Sequence, residues 1–406
     1  MGEMINWMGG WPLDGLMSQA EWEERVAEAS ARSAPHPDGE GQGRERLEKT
    51  TDRRLAERIA AEGWLRDGAA DPEGVAATAG ADAAVDWVAR RWLRPGDTVL
   101  AEQPTGRSAL HLFRKAGAVV RPVPSDASGM LPEELAAALA RLRPRLVYAA
   151  PACTDPEGRS WSPTRVAALL ESCREAGAAV LLDDRQALLR YGEAVGGMEE
   201  GAAAKGSGRE ASPDARKRES DGRAGTVAGG TVFTVGELPP GTIAGVRLGW
   251  LAVCADAKAR RSVLGEEGRP PAPLLVPSEA ERRAWLALME ERGVEPLAET
   301  LRFVCRARIE VLTELLRLQD VPNLAWQEPK GGMHLWLRLP AGLDGDALLR
   351  AAWRHGLLFQ PGSAFYAVDP DRFRIRVTAV HSEEQDIRAG VLRLREAMAD
   401  FLGRLG

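Results

Sequence analysis

Between Asp97 and Asp183 four short apolar runs alternate with amphipathic stretches, and that alternation constrains the fold more than any other feature. The runs are DTVLA (97–101), VVRPV (119–123), RLVYAA (145–150) and AVLLD (179–183). Around them, residues 82–92, 106–116, 131–140 and 163–176 carry apolar side chains at three- and four-residue spacing, which reads as helix. Strands that are apolar throughout need cover on both faces. The arrangement that supplies it is a mostly parallel sheet with right-handed helical crossovers, an α/β architecture.

From about Val276 the pattern changes. One long helical stretch, 278–318, is interrupted at Gly293–Val294. It leads to a strand in MHLWLRL (333–339), a helix near 345–355, a strand in FRIRVTAV (373–380) and a closing helix over 383–405. A chain of 406 residues can bury two cores. The expected division is an amino-terminal arm, partly disordered, over 1–51, a large domain over 52–275 and a smaller α+β domain over 276–406. Trp7, Trp11, Leu13, Leu16 and Trp22 in the arm are expected to pack on either domain or on a second subunit. Residues 31–51, rich in Gly, Pro and charge, and 196–230, nearly devoid of large apolar residues, are expected to be unstructured.

Composition removes several function classes. The net charge is −6 without single-sign blocks, which gives no surface for direct nucleic-acid binding. No run is long and apolar enough for a membrane span or a signal peptide, so a cytoplasmic protein is expected. Cys153, Cys173, Cys254 and Cys305 are far apart, the five histidines show no metal-ligand spacing, and no metal is expected. His381, close in sequence to Arg376, is read as a surface histidine.

Several segments, in one order, carry a family resemblance: TAGADAAVDWVARRWLRPGDTVLAEQPT (78–105), GMLPEELAAAL (129–139), PRLVYAAP (144–151), DPEGRSWSPTRVAALL (155–170), TVFTVGELPPGTIAGVRLGW (231–250), EPKGGMHLWLRLP (328–340), GLLFQPGSAF (356–365) and RIRVTAVHSEEQDIRAGVLRL (374–394). Together they resemble the fold-type-I, class I/II aminotransferases that depend on pyridoxal 5'-phosphate (PLP), and in particular the aminotransferase-like domain of MocR/GntR-type regulators. The resemblance implies a homodimer with a cofactor cleft. It implies that backbone amides of Gly80, Ala81 and Asp82 and the guanidinium of Arg247 receive the cofactor phosphate. Asp183 would face the pyridinium nitrogen, Asp155 the ring oxygen, and Arg376 the carboxylate of an amino-acid substrate.

Several positions depart from that pattern. With Gly245–Trp250 as anchor, the lysine that forms the Schiff base falls on Pro240, which has no amine, so no catalytic residue is assigned. Gly106 replaces the aromatic residue that stacks on the ring, Asp155 an asparagine, Gln186 a tyrosine, and Glu237 the serine three residues before the lysine. A carboxylate at 237 is expected to repel a phosphate. Only six lysines occur, and Lys205 and Lys217 fall in the 196–230 stretch. The reading is an aminotransferase-like protein that has lost covalent PLP catalysis and retains a cleft for an amino-acid or carboxylate ligand, or for a protein partner. Two other readings stand beside it. One is an active PLP-dependent aminotransferase. The other is an effector-type domain of a GntR-like regulator lacking its DNA-binding domain and acting through a separate partner.

Overall fold

A computed structural model describes residues 4–10, 12, 16–31, 42–62, 71–192, 230–265, 275–319 and 323–402. The 196–230 stretch lies outside the described residues, apart from Gly230 at its end, as do Trp11 and Leu13 of the arm.

The chain opens with a three-residue strand, β1 (Ile5–Trp7), and two helices, α1 (Gln19–Ala31) and α2 (Gln42–Ala61). Residues 42–51 were expected to lack structure, and they are helical. Their composition is polar, but α2 buries Thr51, Leu55, Ala56 and Ile59 at helical spacing against the helix Glu279–Arg292 and the strand Val75–Thr78. Tertiary packing of one narrow stripe outweighs the local composition here.

The strand-helix alternation follows: β2 (Val75–Thr78), α3 (Ala81–Trp92), β3 (Thr98–Glu102), α4 (Arg107–Lys115) and β4 (Val119–Val123). A small hairpin of β5 (Ser125–Asp126) and β6 (Gly129–Met130) leads to α5 (Pro132–Leu142), β7 (Leu146–Ala149), α6 (Pro163–Ala176), β8 (Ala179–Asp183), β9 (Val232–Glu237) and β10 (Gly249–Cys254). Seven of these strands form one sheet in the order β2-β10-β9-β8-β7-β3-β4. All pairings are parallel except the two made by β10. β7 and β8 are buried at every residue, because one face meets α3 and α4 through Val85, Leu110 and Phe113 and the other meets α5 and α6 through Leu135 and Leu169.

The remainder comprises α7 (Ala257–Leu264), α8 (Glu279–Arg292), α9 (Glu295–Leu318), β11 (Ala325–Trp326), β12 (Leu335–Arg338), α10 (Gly345–Arg354), β13 (Leu357–Pro361), β14 (Arg374–Val377) and α11 (Glu384–Leu402). The expected break in the long helix lies at Gly293, whose φ of 68° ends α8. A second sheet has the order β1-β13-β14-β12-β11. β1 lies parallel to β13, pairing Ile5 with Leu357 and Trp7 with Phe359, so the arm's first strand completes this sheet. The arm's next segment crosses to the large sheet's side: Met17 bridges Ile243, and Trp22 packs with Trp250 and Trp285.

Candidate ligand cleft

Asp183 and Glu237 end, and Asp155 follows, parallel strands of the large sheet, at the edge where an open α/β sheet leaves a crevice, and Arg376 faces them from the second sheet. Three charge clusters occupy this crevice.

The first sits at the start of α3. Gly80 caps that helix with φ 84°, a conformation favoured for glycine, and leaves the Ala81 amide pointing out of the first turn. A Cβ on Gly80 would come within 3.1 Å of both the Arg247 side chain and Glu237 Oε2. A Cβ on Gly249 would meet the Gly80 backbone at 2.7 Å, so two glycines allow the helix start and β10 to approach this closely. Glu237, at the end of β9 and 2% exposed, accepts the Ala81 N–H at 3.0 Å. Arg247 grips the same carboxylate with Nη2 at 2.6 Å from both oxygens and Nε at 3.2 Å from Oε2. The repulsive role expected of Glu237 is therefore half of the picture. Inside the protein the carboxylate has a donor and a cation of its own, at a helix amino terminus that favours negative charge.

The second cluster surrounds Asp183, at the end of β8 and 2% exposed. Tyr148, on the neighbouring β7, donates its hydroxyl to Oδ2 at 2.8 Å. Arg185 folds back from two residues on, with Nε at 2.8 and 3.0 Å from the two oxygens and Nη2 at 2.7 Å from Oδ2. Its Nη1 reaches Asp82 in the first turn of α3 at 2.5 Å and Ser108 Oγ on α4 at 3.3 Å. One guanidinium thus joins the ends of β8, α3 and α4. Burial raises the Asp82 carboxyl, but the Arg185 charge and hydrogen bond outweigh it and hold the group below the usual carboxylate range. Burial, and then the Asp183 charge, push the Tyr148 phenol well above its ordinary value, so Tyr148 stays a neutral donor.

The third cluster spans the two sheets. Arg376, on β14 and 8% exposed, places Nη1 at 2.5 Å from Asp155 Oδ1, in the loop after β7. Its guanidinium lies 4.8 Å from the centre of the Phe365 ring, a cation–π contact. Burial raises Asp155, and Arg376 more than offsets it, so the carboxyl lies below its usual value. His334 bonds Thr378 Oγ1 through Nδ1 at 2.8 Å; burial, then Arg376, push it down to about 3, so it is neutral at pH 7. A Cβ on Gly106, which precedes α4, would touch Asp155 Oδ2 at 3.4 Å, an ordinary contact. His381 turns to the arm and bonds the Asn6 carbonyl at 2.8 Å.

Pro240 has a local reason to be where it is. The Pro239 carbonyl accepts the Thr242 N–H at 3.0 Å, with Pro240 and Gly241 between them. Proline first and a glycine of φ 96° second are the residues a type II turn selects. The turn is tied to the arm, since Leu16 N–H bonds Gly241 O at 2.9 Å and Met17 N–H bonds Thr242 O at 3.1 Å. Among the described residues, no lysine hydrogen-bonds Asp183, and Lys115 pairs with Asp86 on α3.

The structure thus gathers Gly80, Ala81, Asp82, Asp183 and Arg247 round the start of α3, with Asp155 and Arg376 joined across the neighbouring side of α4. Sequence reasoning missed Arg185 and the Tyr148 hydroxyl. Arg185 lies beside the strand-end aspartate in DDRQ, but its partners Asp82 and Ser108 are far away in the chain. Tyr148 reads as one more buried residue in an apolar strand.

Comparison with known proteins identifies what the chain is similar to. The family description "Aminotransferase class I and II" matches residues 20–204 and 242–391. A 2-aminoadipate transaminase of Thermus thermophilus is 29% identical over 331 residues, 82% of this chain and 77% of the relative. The HTH-type transcriptional regulator TauR of Rhodobacter capsulatus is 26% identical over 75% of this chain, which spans 56% of that regulator. Among solved structures, the α-aminoadipate aminotransferase LysN of T. thermophilus, complexed with N-(5'-phosphopyridoxyl)-L-leucine, superposes with a TM-score of 0.71 at 25% identity. That match covers 98% of this chain and 93% of LysN.

Proposed function

This chain belongs to the class I and II aminotransferases, and we propose that within that family it has given up covalent PLP catalysis and keeps its cleft as a binding site. The single observation that carries the proposal is Pro240. A Schiff base needs a primary amine, and the position that the resemblance assigns to it holds a ring nitrogen inside a buried turn.

The residues present do not fit the cofactor. Its phosphate would need the Ala81 amide and Arg247, and both are already engaged by Glu237. Its ring nitrogen would need Asp183, and that carboxylate is covered by Arg185 and Tyr148. What the cleft still offers is Arg376, whose Nε is buried without a hydrogen-bond partner. An amino-acid or other carboxylate ligand that displaces Asp155 would meet a planar guanidinium backed by Phe365 and a neutral His334. The protein is proposed to be cytoplasmic; among the described residues no helix is long and apolar enough to cross a membrane. It is also proposed to be a homodimer. Leu275 and Val276, 67% and 44% exposed beside the start of α3, offer apolar surface to a second subunit at the rim of the cleft.

The test is the absorption spectrum of the purified protein, before and after borohydride. The expected result is no band near the visible edge and no reduced pyridoxyl group on any lysine peptide. A borohydride-sensitive band with a labelled lysine would contradict the proposal.

A second reading, an effector-type unit of a regulator, is supported by the HTH-type relatives, which this chain matches over 56–61% of their length. A pull-down that returned a DNA-binding protein would favour it.

A further inference from the structure

We infer that Glu237 and Arg185 are built-in replacements for the two charged ends of the phosphopyridoxyl group that the LysN structure carries, so that the cleft is liganded by its own side chains. This inference rests on the cofactor-free reading above and goes further: the two residues do more than block a site, because they complete it.

The charges match one by one. Glu237 brings an anion to the helix start and to Arg247, the place that the resemblance gives to a phosphate. Arg185 brings a planar cation with an N–H donor to Asp183, the place that it gives to a protonated ring nitrogen. Asp155 supplies a carboxylate to Arg376, the place that it gives to a substrate carboxylate. A cleft that had merely lost its ligand would expose two arginines without counter-charges and a buried aspartate with neutral donors but no cation. Unpaired charge in a buried site is costly, and the expected remedy is a counter-charge. Here each receptor has one.

The inference has a direct consequence. Removing the Glu237 carboxylate should uncover an anion receptor made of Arg247 and the Ala81 amide, open to inorganic phosphate. Glu237→Ala is measured by thermal denaturation across a series of inorganic phosphate concentrations, against chloride at matched ionic strength. The expected result is a saturable rise in melting temperature of about 2 °C or more for the variant. The wild type should not respond beyond the chloride control, and Glu237→Ala/Arg247→Met should lose the response. Equal response of wild type and variant, or no saturable response in the variant, would overturn the inference. Where Glu237→Ala does not fold, Glu237→Ser is measured in its place, its hydroxyl retaining one acceptor for the Ala81 amide. If Ala and Ser variants both stay unfolded at every phosphate concentration while Glu237→Gln folds, a free anion cannot replace the side chain and the inference fails. No PLP is used, so this outcome is separate from that of the borohydride test.

Discussion

Arg185→Met is expected to destabilise the protein by about 3–5 kcal/mol, the usual consequence of removing one partner from a buried charge pair. Methionine fills much of the arginine's volume, so the loss is one of charge and hydrogen bonds. Asp183, 2% exposed, keeps the Tyr148 hydroxyl and the amide of residue 185 but no cation. Asp82 loses the largest influence that holds its carboxyl down and keeps the smaller ones of Ser108 and Arg247. Urea titration of variant and wild type measures the difference.

The pH dependence gives the same variant a sign. A carboxyl whose folded-state pKa is depressed contributes stability above its unfolded value, about 3.9, and that stability is lost as pH falls through the folded value. Asp82 and Asp155 are both depressed, so the wild type should weaken as pH falls below about 4. Arg185→Met lacks most of the Asp82 share of that effect. Its stability should therefore fall less over the same interval. A variant that loses stability in parallel with the wild type would show that Asp82 is not held by Arg185.

Arg247→Met is the second large effect, also about 3–5 kcal/mol, because Glu237 would remain buried with the Ala81 amide as its main donor. The informative measurement is the double variant Arg247→Met/Glu237→Leu. Removing both charges removes the desolvation cost together with the attraction, so the double variant should recover most of the loss. Additive losses in the double-mutant cycle would show that the two side chains act independently and that Glu237 is not held by Arg247.

Much of this arrangement could be read before any coordinates. β7 and β8 are apolar at nearly every position because both faces are covered, and such runs are visible as runs. The break between α8 and α9 was visible in Gly293, whose positive φ few other residues adopt. The helical residues 42–51 were not visible, since a stripe of few apolar residues among many charges looks like linker until α8 and β2 are there to receive it. Nor was the place of β1: its three residues pair with a strand some 350 residues later, and local pattern carries no trace of that.

At the candidate site, Asp183, Arg247 and Arg376 each stand in an ion pair, and the sequence shows the residues without their partners. It also identified Glu237 as a carboxylate at a phosphate position, but read its effect as repulsion alone. The sign of the local field depends on the Ala81 amide and on which way Arg247 turns, and neither is legible in a string of residues. Arg185 was invisible for the same reason. Its importance comes from joining three elements that meet only after the sheet has formed.

The central claim is that the cleft is filled by the chain's own charges and does not merely lack one lysine. Pro240→Lys tests it most directly, by PLP binding and half-transamination of amino acids, beside a variant that also carries Glu237→Ser and Gly106→Tyr. No turnover and no aldimine are expected from the single variant, because Glu237 still holds the Ala81 amide and Arg247, and Arg185 still covers Asp183. The single variant is also expected to gain no affinity for PLP over the wild type, since the two groups a phosphate would need, the Ala81 amide and Arg247, remain bound to Glu237. Substantial half-transamination by Pro240→Lys alone would mean that the cofactor's place is open and would contradict the account.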